Sequence, residues 1–125
     1  MRAQIGAEYI FLVALVFVLV SASVLQSFKD SEINLGLSGA RLACQEFAAK
    51  HSEFDCYILG YSVDETLRQV NITPQLSFDY TVNDRQALKD LMLYRWSQIF
   101  RPDSDPDYAI NCYRAAYFDY CYTYN

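Results

Sequence analysis

Hydrophobic positions are spread unevenly along the chain. From Tyr9 to Val20 every residue is apolar, and Ser21-Ala22-Ser23-Val24-Leu25 prolongs a helix-compatible stretch. Adding Ile5 to Ala7 brings it close to the roughly 20 residues that cross a hydrocarbon core, but this sets Glu8 inside the span or at its edge. A run apolar on every side suits burial in lipid or in a multi-helix bundle. Beyond it, Leu25, Phe28, Glu32, Leu35, Gly39, Leu42 and Glu46 recur at three- to four-residue steps and predict an amphipathic continuation. Gly36 and Gly39 each cost about 1 kcal/mol in a helix interior. They predict a kink between Asn34 and Gly39, or a loop followed by a second helix capped by Ser38 and running from Gly39 to Lys50.

The remaining pattern is shorter in period. Phe54 to Gly60 is rich in aromatic and branched residues and reads as a strand that would let Cys56 approach Cys44. Ser62 and Glu65 have the spacing of a capping box, predicting two helical turns through Val70. Leu76 to Asn83 alternates apolar and polar residues, the signature of a half-buried strand. Asn83 or Asp84 then caps a helix from Arg85 to Phe100, with Leu88, Leu91, Met92, the stem of Arg95, Ile99 and Phe100 facing inward. Tyr120, Tyr122 and Tyr124 alternate with Cys121 and Thr123, predicting a strand whose tyrosines serve the core or an edge offered to another subunit. The fold class expected is α+β: a long N-terminal hydrophobic helix followed by a small disulfide-bearing domain of helix and antiparallel sheet.

Composition narrows the function. The chain has 125 residues and a formal net charge of -5, which makes nucleic acid or an anionic lipid surface a poor partner. Four cysteines, Cys44, Cys56, Cys112 and Cys121, behind a membrane-crossing segment point to an oxidising extracytoplasmic compartment. Three pairings are open. The sequential one, Cys44 with Cys56 and Cys112 with Cys121, would close two short loops, and the spacings lack the close CxxC pairs of structural zinc sites. Asn71-Ile72-Thr73 is an N-glycosylation sequon, with a plain turn before Pro74 as the competing reading. Asp103, Asp105 and Asp107 alternate in a loop; a solvated turn competes there with calcium, for which the terminal glutamate of an EF-hand loop is missing. His51 is the sole histidine and follows a helix end, Ser52 beside it makes no nucleophile-base pair, and no glycine-framed nucleophile occurs. No enzyme activity and no cofactor are expected.

Glu8 is the residue that separates the readings of the N-terminus. A cleaved signal peptide ending near Ser21-Ala22-Ser23 would carry a weak positive end, Arg2 alone, and a simple signal anchor leaves the carboxylate unexplained. Arg2-Ala3-Gln4, then Gly6, Glu8, Tyr9 and the apolar run, resemble the class III signal peptide of archaeal type IV pilin-like proteins, in which a prepilin peptidase cuts just before a glutamine. Where that family commonly has a glycine before the cut and a serine two residues after the glutamine, this chain has Ala3 and Gly6.

The resemblance covers about residues 2 to 25. It implies cleavage between Ala3 and Gln4, with Glu8 as the fifth mature residue. It implies a leader over residues 1–3, a hydrophobic and stalk helix over 4–33, and an extracellular domain over 34–125. It further implies identical subunits as partners, assembling through Gln4, Glu8, Ile10, Phe11, Val13 and Phe17 in a helical filament, and a prepilin peptidase-like processing enzyme. The subunit would lie in the membrane before assembly and outside the cell afterwards, serving surface adhesion. The new α-amine at Gln4 would meet Glu8 of a neighbouring copy, a pairing that sets register more than it adds stability. The competing reading is a monomeric binding module, anchored or secreted, with a tyrosine-rich recognition surface.

Overall fold

The structure is a computed structural model, and it describes residues 2–51, 55–76, 81–101 and 106–123. A single helix, α1 (Arg2–Lys50), is followed by strands β1 (Cys56–Asp64) and β2 (Gln69–Leu76), helix α2 (Val82–Phe100), and strands β3 (Cys112–Arg114) and β4 (Asp119–Tyr122). The chain divides into two units, residues 1–31 and residues 32–125.

The second unit is an α+β domain with a four-stranded sheet in the order β1-β2-β4-β3. β1 pairs antiparallel with β2 and β3 with β4, but β2 and β4 run parallel, Val70 opposite Tyr120. The sheet is therefore mixed rather than antiparallel. A parallel neighbour needs a long crossover, and α2 with β3 provides it. Along β2, Val70, Ile72, Pro74 and Leu76 are buried while Gln69, Asn71, Thr73 and Gln75 are half-buried, so one face meets the core. On that face Tyr120, Ile72, Val70, Leu88, Met92, Leu93 and Trp96 are closed to solvent.

The kink or break expected between Asn34 and Gly39 is absent: α1 runs unbroken to Lys50, and Ser38 lies inside it as an exposed helical residue. The two glycines are packing notches. A Cβ on Gly36 would fall 2.6 Å from Tyr120 Cδ1, and one on Gly39 would fall 2.9 Å from Trp96 Cδ1. Trp96 Nε1 donates to the Gly36 carbonyl at 2.9 Å, an approach that a larger residue would prevent. The buried face of this part of α1 consequently carries Gly36, Leu37, Ala40, Ala43, Cys44 and Phe47, whereas Leu35 and Leu42 are half exposed. Small residues outcompete the leucines because the sheet and α2 come closest there.

Four further expectations are corrected. Ser62, Val63 and Asp64 belong to β1, and the Ser62 to Glu65 capping box is instead the end of a hairpin, with Asp64 Oδ1 accepting from the Leu67 N–H at 3.0 Å. Of the strand expected over Leu76 to Asn83, Leu76 ends β2, Ser77 to Tyr80 lie outside the described residues, and Thr81 is the N-cap of α2, with Val82 and Asn83 inside the helix. The capping box is Thr81 with Asp84: the Asp84 N–H donates to Thr81 Oγ1 at 3.3 Å and the Thr81 N–H to Asp84 Oδ2 at 2.8 Å. On α2 the buried line is Leu88, Lys89, Met92, Leu93, Trp96 and Ser97, with Leu91, Arg95, Ile99 and Phe100 at its half-buried margin. Lys89 is buried because its Nζ donates to the Tyr108 carbonyl at 2.7 Å.

Candidate functional site

In residues 3–31 of α1 every side chain but that of Lys29 is exposed, including the unbroken apolar run. Tyr9, Ile10 and Phe11 are each 69% exposed and Phe17 72%. Burying such side chains is worth about 2 kcal/mol each, so a dozen exposed in succession favour an apolar surrounding. At 1.5 Å per residue the helix from Ala3 to Ser31 spans roughly 45 Å, longer than the ~30 Å hydrocarbon core. The helix is long and apolar enough to cross a membrane.

All the N-terminal candidates fall on this one helix. Ala3 and Gln4 lie in its first turn, and Glu8 follows Gln4 by four residues on the same face. Ile10, Val13 and Phe17, spaced i, i+3 and i+7, share one face of it, and Phe11 lies about 100° round from Ile10. Among the described residues Glu8 makes no hydrogen bond or ion pair. Ser21 and Ser23 turn their hydroxyls back to the carbonyls of Phe17 and Leu19, at 2.7 and 3.0 Å, so neither presents an open polar group.

In the domain, disulfides join Cys44 to Cys56 and Cys112 to Cys121, with Cα separations of 5.2 and 4.0 Å. The first ties the C-terminal part of α1 to the start of β1, and the second links facing positions of β3 and β4. Asn71 is not in a turn: it sits in the middle of β2, flanked by Ser62 of β1 and Cys121 of β4, and Thr73 of the sequon shares a hydrogen bond of 2.7 Å with Thr123. Ser52, Asp103, Asp105 and Tyr124 lie outside the described residues. Asp107 Oδ1 accepts the Ala109 N–H at 2.9 Å, and the His51 ring lies tilted against Phe47 with ring centres 4.5 Å apart. Among the described residues no three His, Cys, Asp or Glu side chains converge as a metal site would need.

Glu32 is a residue whose importance the sequence pattern conceals. Only 7% exposed, its carboxylate accepts the N–H of Tyr117 at 3.0 Å, the N–H of Phe118 at 3.0 Å and the hydroxyl of Tyr120 at 3.3 Å. It thus fixes the turn between β3 and β4 to α1. An acid at an apolar-face position of the recurring pattern was the available signal. Of the C-terminal tyrosines among the described residues, Tyr113, Tyr120 and Tyr122 are buried, and Tyr120, whose hydroxyl joins the Glu32 contact, stacks on Phe100 with ring centres 5.1 Å apart. Burial, then the adjacent Glu32 charge, pushes the Tyr120 hydroxyl far above the ordinary tyrosine value.

Comparisons of the chain with protein-family models, with curated proteins and with solved structures found no match.

Proposed function

We propose that the protein is a structural subunit of an extracellular type IV pilus-like filament of the archaeal kind, held in the membrane by α1 before assembly and joined to identical subunits through the same helix afterwards. The observation that carries this reading is the exposed apolar helix with a carboxylate at its edge. Lipid covers such a surface in a single chain, and equivalent helices of other copies cover it in a bundle. Glu8 is costly in either setting until a cation reaches it. Cleavage between Ala3 and Gln4 by a prepilin peptidase-like enzyme creates an α-amine that can serve this role across a subunit boundary, while Ile10, Phe11, Val13 and Phe17 supply apolar contact. The disulfide-bearing domain then faces the medium, as surface adhesion requires.

The mass of the N-terminal peptide from the native protein, together with electron microscopy of shed appendages, tests the reading. A terminus at Gln4 and filaments containing the subunit are expected, and Glu8→Ala is expected to leave the protein in the membrane without filaments. A mature terminus near Val24, or normal filaments from the Glu8→Ala chain, overturns it.

A further inference from the structure

The hairpin tip between β1 and β2 and the turn between β3 and β4 enclose a cleft of about 370 Å³, lined by Leu67, Arg68, Arg114, Ala116, Tyr117 and Asp119 among others. Its walls are fixed from both sides. Behind the turn, Glu32 holds the N–H groups of Tyr117 and Phe118. The Ala115 N–H donates to the Phe118 carbonyl at 3.0 Å and the Asp119 N–H to the Arg68 carbonyl at 2.8 Å. In front, Arg68 Nε donates to the Tyr117 carbonyl at 3.1 Å, and Arg114 Nε lies 3.4 Å from Asp119 Oδ1. Neither guanidinium makes a further hydrogen bond among the described residues, so the terminal nitrogens of both remain for a ligand in one cleft.

Paired Nη groups match the planar fork of a carboxylate. Charge selects its valence. Arg68 and Arg114 against Asp119 leave one positive charge in the lining, while the carboxylates of Glu32, behind the turn, and Asp64, in the hairpin, add negative field from outside it. A monoanion is balanced there, whereas a dianion would add uncompensated charge to a chain of formal charge -5. The volume lies in the lower part of the range for small-molecule sites, too large for acetate and suited to one sugar ring. Asp119 can accept hydroxyls, and Leu67, Ala116 and Tyr117 offer apolar surface to ring C–H groups. Arg68 also adopts a left-handed backbone, φ 54°, which glycine or asparagine takes at less cost.

We propose that this cleft binds a hydroxylated monocarboxylate of the size of a uronic acid sugar, with Arg68 and Arg114 on the carboxylate and Asp119 on the hydroxyls. The lining residues all belong to the second unit, and the proposal stands whether or not filaments form. The full chain in detergent micelles, titrated with glucuronate by calorimetry and by amide NMR, tests it. Saturable binding with shifts of the Ala116 and Tyr117 amides is expected, with glucose, inorganic phosphate and the Arg114→Gln chain each weaker by about tenfold or more. The Arg114 side chain is 81% exposed, so its replacement leaves the fold intact. Absence of glucuronate binding, equal affinity for glucose or phosphate, or shifts confined to other amides overturns the proposal.

Discussion

Glu32 and Gly36 lie one helical turn apart on α1 and act on one target, the β3–β4 turn with Tyr120. Replacing Glu32 by glutamine keeps an oxygen but turns two N–H donors toward groups that also donate. Loss of charge-assisted hydrogen bonds to a buried turn should lower stability by about 2–3 kcal/mol, read as a shift of the denaturant midpoint of the full chain in micelles. Gly36→Ala should cost about 1–3 kcal/mol, because its methyl would overlap the Tyr120 ring, itself held by Phe100 and Glu32. Gly6→Ala is the comparison: nothing lies within 4 Å of a Cβ there, and no loss of stability is expected. This contrast also explains why glycines in residues 34–39 mislead a sequence reading. Propensity counts the backbone cost of a helical glycine, but the partners that make it favourable, Trp96 and Tyr120, stand 57 to 84 positions later in the chain.

At the level of elements, α1, β1 and α2 are tied or capped by groups of different chemistry. The Arg95 side chain bonds Glu46, and its guanidinium holds that carboxyl below the ordinary value of 4.5. The Thr81 N–H does the same for Asp84, whose ordinary value is 3.8. Because both folded values are depressed, their stabilisation is complete above the ordinary values and is lost as the pH falls through the folded ones. Stability measured from neutral to acid pH should therefore drop less steeply in a Glu46→Gln, Asp84→Asn chain, which starts from a lower neutral value. The disulfides act on the unfolded chain: replacing Cys44 and Cys56 by serine should cost about 2–3 kcal/mol, the loop being 12 residues, and a denaturation midpoint would report it. Among these elements the apolar start of α1, the helical nature of α2 and the terminal strand at Tyr120 are legible in the sequence. The β1–β2 hairpin is not, since Ser62 and Glu65 obey the spacing of a helix cap equally well. Inward and outward residues of β1 are also both apolar, with Tyr57, Leu59, Tyr61 and Val63 exposed at the sheet edge, so no alternation distinguishes its faces.

At the level of the whole molecule, solubility should follow the division between residues 1–31 and 32–125. The second unit has its own core, from Leu37 and Phe47 through Ile72 to Trp96 and Tyr120, and carries both disulfides. The apolar positions from Tyr9 to Val20 contribute nothing to that core, being exposed throughout. A chain beginning at Lys29 retains Glu32 and its turn, so it should fold with the same disulfides, sediment as a soluble monomer and unfold cooperatively. The full chain should require detergent or lipid, because a dozen uncovered apolar side chains, at about 2 kcal/mol each, far exceed the 5–15 kcal/mol that holds a domain folded. Failure of the shorter chain to fold would mean that residues before Lys29 stabilise the domain. A full chain monomeric in plain buffer would mean that the helix finds internal cover, and the reading of α1 as an assembly and membrane element would fall with it.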